Sequence, residues 1–342
     1  MERYSRQMRF HGVGEAGQKK LLASRITLCG CGALGTVLAN TLVRAGVGFV
    51  RIIDRDFIEH HNLQRQVLFD EDDVASNLPK AEAAANKLRR INSEITIESI
   101  VTDIDHTNIV DFVKDVDLVL DGTDNFEVRY LVNDAAIKLN KPWVYGGAIG
   151  SVGQTMTIIP GLTPCLRCVV EASPAPGMAD TCETAGVLSP TINVIASLQA
   201  TEAIKILTGH LETINRDLVY IDVWDNEFRR FKISKLKDKV DCPCCKHHNF
   251  EWLEGKMGVH TTSLCGRNAV QVAHRTANQL NFGTLAEVLK GVSQGEVTHN
   301  KFMLRFAADG HDFTVFPDGR AIIKGTSDID RAKTLYAKYI GH

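Results

Sequence analysis

The 342-residue sequence predicts an α/β protein: a mostly parallel sheet with helices on both faces over residues 1–251, then a small α+β domain over 252–342. Three observations predict it. Strand-length apolar runs alternate with helical patterns along the first part of the chain. Three closely spaced glycines separate the first run from the first helical pattern. A second, shorter set of strand and helix patterns begins near Trp252.

Taken in order, Arg25–Cys29, Phe49–Ile53, Ile95–Ile100 and Leu118–Asp121 read as strands, with helical spacing around Leu34–Ala45 and Lys80–Asn92 between them. Strands joined through helices run parallel, and the connecting helices cover both faces of the sheet. After Trp143–Tyr145 the texture turns to glycine-rich β segments, "GGAIGSVGQTMTIIPG", and then to a proline-rich loop over 172–178 that suits a crossover or lid. The mildly apolar run from Ala185 to Leu207 is interrupted by Ser189, Pro190, Asn193 and Gln199, which suits a buried helix and not a membrane span. Beyond Trp252 follow the strand "NAVQVA", a helix around Leu285–Val292, strands near Phe302–Ala307, Phe313–Phe316 and Ala321–Lys324, and a last helix from Ile329 to Ile340. "FPDGRA" is the turn between the last two strands.

A chain with 44% hydrophobic and 23% charged residues can bury a sizeable core. Its net charge of −2 gives no electrostatic reason to expect nucleic acid or an anionic membrane as partner, so the partner is sought in a site. The N-terminus "MERYSRQMRF" lacks the apolar stretch of a signal peptide, and a cytoplasmic location is expected. There the nine cysteines stay reduced, and clustered ones serve as metal ligands or reactive thiols.

The glycines fall in "LCGCGALG". Gly30, Gly32 and Gly35 fit the Rossmann-like spacing G-x-G-x-x-G, which lets a phosphate approach the backbone at a helix N-terminus. Asp54 closes the next strand, placed to accept from ribose hydroxyls. That much suits NAD, and an NAD-dependent oxidoreductase is one reading. The following segments, "DRDFIEHHNLQRQVLF" and "NLPKAEAA", bring the cations Arg65 and Lys80 to the nucleotide edge, which suits a triphosphate better. In "DGTDNFEVR", Asp124 and Asn125 lie just past the end of a strand, where open α/β sheets place ligands and where a carboxylate could hold Mg²⁺ against ATP phosphates.

These segments, with "TPCLRC" and "TCETAGVLSP" further on, resemble the ThiF/MoeB/HesA family of sulfur-carrier adenylyltransferases, relatives of ubiquitin-activating enzymes. The resemblance covers residues 1 to about 250 in consistent order. It implies attack by the C-terminal Gly-Gly carboxylate of a ubiquitin-fold carrier protein on the α-phosphate of ATP, giving an acyl-adenylate and pyrophosphate. By motif, Gly30, Gly32, Gly35, Asp54 and Asp56 surround the nucleotide, Asn62, Arg65 and Lys80 contact phosphates, and Asp124, with Asn125 beside it, organises Mg²⁺. Arg6 in "YSRQ" resembles the family arginine that enters the site from a second subunit, so a homodimer is implied. Cys182 resembles the loop cysteine that some members join to the carrier. A sulfur donor such as a cysteine desulfurase is the further partner implied. The core motifs are shared by the thiazole and molybdopterin branches, and "LCGRNAVQV" and "FTVFPDGRAIIKGT" in the appended domain resemble the C-terminal extension of members of both; the thiazole branch is favoured over the molybdopterin branch.

The chemistry needs this residue set for an electrostatic reason. An anionic carboxylate must approach an anionic phosphate, which calls for cations on the phosphoryl oxygens and a metal on the departing pyrophosphate. No general base is needed, because the nucleophile is ionised near neutral pH; His60 and His61 are therefore read as capping or surface residues. A non-catalytic scaffold would be expected to have lost a phosphate or metal residue, and none is lost.

Among the cysteines, Cys165 and Cys168 form one C-x-x-C, and Cys242 and Cys245 another in "CPCC". Two such pairs in a reduced chain point to structural Zn²⁺ held by four thiolates. Cys244 leaves the register ambiguous, and Cys245 is preferred because it keeps the two-residue gap. Cys29 and Cys31 read as packing residues, with Cys31 close enough to the nucleotide to be alkylation-sensitive. Cys265 in "SLCGRN" reads as a packed cysteine, with a sulfur relay as the sharper alternative.

Overall fold

The computed structural model describes residues 1–124, 126–170, 186–257, 261–264, 268–272 and 280–340. Asn125, Cys182 and Cys265 lie outside the described residues. The chain divides into two compact units after Met257. Trp252, which the sequence assigned to the appended domain, belongs to the first unit. It stacks on Tyr130 with ring centroids 4.9 Å apart, and its backbone N–H donates to Asp134 Oδ2 at 3.1 Å.

The first unit is built on an eight-stranded sheet of order β3-β2-β1-β4-β5-β6-β7-β8. Its strands are β1 Arg25–Cys29, β2 Phe49–Ile53, β3 Thr96–Ile100, β4 Leu118–Asp121, β5 Trp143–Ile149, β6 Val152–Ile158, β7 Leu218–Asp222 and β8 Glu227–Phe231. From β3 to β5 the pairing is parallel, and from β5 to β8 antiparallel. The chain leaves β1 for β2 on one side and later returns to β4 on the other, so the carboxyl end of β1 lies at a topological switch point.

Two helices frame that point. The helix Ala33–Ala45 buries Leu38 and Leu42 completely and stops at Gly46, whose φ of 85° allows its N–H to fold back on Leu42 and Val43. The helix Ser189–Thr208 is buried as expected, although it starts at Ser189 and not at Ala185, and it packs in the same core. Its Gln199 Nε2 donates to the carbonyls of Asp121 at 2.9 Å and Val144 at 3.3 Å, fixing the helix across β4 and β5. No helix among the described residues is long and apolar enough to cross a membrane.

The second unit carries a six-stranded antiparallel sheet of order β11-β12-β13-β14-β10-β9. These strands are β9 Thr261–Leu264, β10 Ala269–Val272, β11 Thr298–His299, β12 Leu304–Ala308, β13 His311–Val315 and β14 Ala321–Lys324. Alternate residues Leu304, Phe306, Phe313, Val315 and Ile323 form a core with the helices Phe282–Lys290 and Ile329–Tyr339. "FPDGRA" makes the turn: Phe316 N–H donates to the Arg320 carbonyl at 2.8 Å, and Gly319 supplies a φ of 82°.

Candidate active site

At the switch point, two backbone segments cross at van der Waals distance with glycine on both sides. Gly30 has a φ of 86° and donates to the Ile53 carbonyl at 2.8 Å. A methyl on Gly35 would lie 2.2 Å from the Gly30 carbonyl oxygen, and one on Gly122, in the turn after β4, would lie 2.6 Å from the same atom. These three glycines are therefore required for packing. Gly32 differs: a methyl there would meet nothing nearer than the Gly122 carbonyl oxygen at 3.8 Å. It is the N-cap of the 13-residue helix and brings no side chain to cap the first turn, so the first N–H groups and the positive end of the dipole face this opening.

The difference has a measurable consequence. Gly35→Ala is expected to cost at least about 3 kcal/mol, since backbone must shift. Gly32→Ala, whose methyl meets nothing nearer than 3.8 Å, is expected to lower the melting midpoint far less than Gly35→Ala while weakening ATP binding. Equal midpoints for the two variants would contradict the assignment.

Around the turn stand the charged groups. Asp54 accepts from Cys31 N–H at 2.6 Å and Asp56 N–H at 2.7 Å. Burial pushes its carboxyl up to about 6, with Lys80 opposing the rise and Asp56 adding to it. Lys80, the first residue of the helix Lys80–Ile91 and buried, reaches Asp56 Oδ2 at 3.1 Å. Asp56 thus anchors a site cation. Arg55, a charge inside "DRD" that no motif singles out, lies 3.6 Å from Asp56 and pairs with Asp103 at 2.8 Å. Burial works against its charge, but Asp103 and Asp56 lift its pKa above the ordinary value.

Asn62 is buried and uses its side chain for shape: Oδ1 accepts from Glu59 N–H at 3.0 Å, closing the 3₁₀ turn His60–Asn62. His60 and His61 are exposed there. Arg65 follows that turn and donates to the His61 carbonyl at 2.7 Å. Past β4, the buried Asp121 carboxylate accepts from Thr123 N–H at 2.9 Å and Arg129 Nε at 3.0 Å. Arg129 also donates to the carbonyls of Thr123 at 2.7 Å and Gly146 at 3.0 Å. That buried pair fixes the loop carrying Asp124, which is exposed and close enough to Arg55 and Arg129 for their charges to feel it. Gly122 and Arg129 sit in "DGTDNFEVR" yet have roles visible only once β1 and β4 are side by side.

The N-terminal arm is pinned on both sides of Arg6. Asn92 Nδ2 donates to the buried Tyr4 hydroxyl at 2.9 Å, and Gln7 Nε2 donates to Gln18 Oε1 at 2.7 Å. Arg6 itself is exposed. Cys29 and Cys31 are fully buried, and burial raises both thiols well above the ordinary range. The expected alkylation sensitivity of Cys31 is therefore corrected: reagent has no access to a thiolate there.

Away from the turn, Cys165, Cys168, Cys242 and Cys245 place their sulfurs within 4.8 Å of one another. Neighbouring sulfurs are separated by 3.8, 3.5 and 3.4 Å. Tetrahedral zinc with Zn–S bonds of about 2.3 Å sets sulfurs about 3.8 Å apart, so the cluster fits that ion with modest relaxation. Cys244 instead accepts from Asn133 Nδ2 at 3.2 Å. The pairs come from segments 77 residues apart, so a bound ion ties the end of β6 to the segment after β8. Cys242→Ser is expected to lower zinc content below one per chain and cost at least about 3 kcal/mol, a midpoint loss of about 6 to 12 °C. An unchanged midpoint would remove the cluster from the stability account.

Residues 4–244 match the ThiF family. The chain belongs to that family. ThiF is an adenylating family, and this member is accordingly an enzyme. This ThiF-family chain is 43% identical over 339 residues to the sulfur carrier protein ThiS adenylyltransferase of Bacillus subtilis, covering 99% of each chain. It is 36% identical over 250 residues to the sulfur carrier protein adenylyltransferase of Thermus thermophilus, covering 72% of this chain and 90% of the relative. Among solved structures, the crystal structure of E. coli MccB with ATP has a TM-score of 0.60 at 26% identity, covering 71% of this chain and 74% of that one.

Proposed function

We propose that the enzyme adenylates the C-terminal Gly-Gly carboxylate of a ubiquitin-fold sulfur-carrier protein with ATP, releasing pyrophosphate ahead of thiocarboxylate formation. The observation that carries the reading is the open helix N-terminus at Gly32 flanked by Asp54 and the Asp56-anchored Lys80. In this reading Asp54 accepts from the ribose. The first-turn N–H groups and Lys80 take phosphoryl oxygens, and Arg65 and Arg6 of the other subunit neutralise the charge that develops as carboxylate meets phosphate. Asp124 would hold Mg²⁺, which supplies Lewis-acid stabilisation to the departing pyrophosphate. Fixed by the Asp121–Arg129 pair, its loop needs little reorganisation.

The thiazole branch is favoured because the Bacillus subtilis relative named for ThiS matches across the appended unit as well, whereas the Thermus thermophilus relative covers 72% of this chain. A cysteine desulfurase is the class of sulfur donor that would follow, in the cytoplasm, with Asn125 and Cys182 serving as the family motif implies. Incubating the enzyme with ATP and purified carriers of each branch, and weighing each carrier, tests the assignment. One adenylyl group on the thiazole carrier is expected, and modification of the molybdopterin carrier alone would reverse the branch.

A further inference from the structure

We infer that Gln66 is a nucleotide-positioning residue, its side-chain amide donating to a phosphoryl oxygen at the Gly32 turn; this rests on the nucleotide reading of that turn. Gln66 is only 3% exposed, and its backbone is fixed: its N–H donates to the Asn62 carbonyl at 2.9 Å and its carbonyl accepts from Phe69 N–H at 3.1 Å. Three glutamines are buried among the described residues of the first unit. Gln18 is bonded at both ends, to Gln7 and to the Ala45 carbonyl. Gln199 has an unpartnered Oε1 too, but its Nε2 donates to two carbonyls. Gln66 makes no side-chain hydrogen bond to any described residue, and its Oε1 is buried without a partner.

A buried amide left unbonded destabilises the fold, and an apolar side chain of the same shape would fill the space at lower cost. Its position suggests what the amide is for. Nε2 lies 4.0 Å from where a methyl on Gly32 would sit, bordering the opening that the free N–H groups of the helix face. The Gly122 carbonyl and the Asp54 carboxylate are acceptors there, but the groups with donors to spare, the first N–H groups of the helix and the Lys80 ammonium, suit a ligand rich in acceptor oxygens. A neutral donor adds a contact without the desolvation a second buried cation would incur beside Lys80. Phosphate oxygens meet that description, and the nucleoside portion of the ligand does not.

The test compares full-length wild type, Gln66→Met and Gln66→Glu, measuring calorimetric affinity for ATP and for adenosine and the melting midpoint without nucleotide. Gln66→Met is expected to keep or raise the midpoint, weaken ATP about tenfold and leave adenosine within about twofold. Gln66→Glu, which turns a carboxylate toward the phosphates, is expected to weaken ATP about a hundredfold and again leave adenosine unchanged. Unchanged ATP affinity in Gln66→Met, parallel losses of ATP and adenosine, or a lowered midpoint in that variant would each return Gln66 to packing. Wild type that binds no ATP would instead overturn the nucleotide reading, and the proposal with it.

Discussion

Asp124→Ala is expected to reduce carrier-dependent pyrophosphate exchange at least about a thousandfold while ATP binding stays measurable. In the proposed reading Asp54 on the ribose and the Gly32 turn and Lys80 on the phosphates are untouched by this change, so affinity is expected to persist. The loss falls on the transition state, where a metal on the departing pyrophosphate supplies several kcal/mol, and about 1.4 kcal/mol corresponds to a factor of ten. Asp124 is exposed and its loop is held by Asp121 and Arg129, so the melting midpoint should move by no more than about 2 °C. A large drop in midpoint would make the activity loss uninformative about metal, and Asp124→Asn then serves in its place, since it removes the charge and keeps the shape. Exchange near the wild-type rate in both variants would remove Asp124 from the chemistry.

The second large effect is a recovery. Arg6→Ala alone is expected to be nearly inactive, and so is Asp124→Ala, yet subunits of the two, mixed and allowed to exchange, are expected to regain about a quarter of wild-type activity. Half of the dimers then contain one chain of each kind, and in those one site draws Asp124 from one chain and Arg6 from the other, both intact. The structure makes the arm a suitable carrier for such a residue. Tyr4 and Gln7 tie the short helix Ser5–Met8 to the body on both sides of the exposed Arg6. A demonstrated mixed dimer with no activity, or a monomer at working concentration, would contradict the arrangement.

Much of this architecture was legible because buried parallel strands read as unbroken apolar runs. β1, β2 and β4 fall at the predicted residues for that reason, and the glycine spacing gave the turn between them. β8 was missed because "EFRRF" forms the edge of the sheet with four of its five residues exposed, so no apolar run marks it. The helix Gly14–Ala23 was missed for a related reason: it buries only Gly17, Gln18 and Leu21, too few apolar positions for a periodic pattern. At the site, single-residue chemistry was legible and mutual support was not. Asp54 and Lys80 could be named from order and charge. That Gly122 must lack a side chain, that Arg129 braces the Asp124 loop, and that Asp56 holds Lys80 all depend on contacts between segments far apart in sequence. The cysteine tetrad was legible because two-residue spacing survives in the fold, which sets Cys245 and not Cys244 among the clustered sulfurs.

The central claim is that ATP, and not a dinucleotide, is used to activate a protein carboxylate. Isotope exchange between pyrophosphate and ATP, measured with and without a carrier ending in Gly-Gly, tests it most directly. The account predicts exchange that requires the carrier, disappears when the carrier's last glycine is removed, and proceeds with no absorbance change in the presence of NADH. Exchange independent of any carrier, or turnover of NADH with no exchange at all, would contradict it.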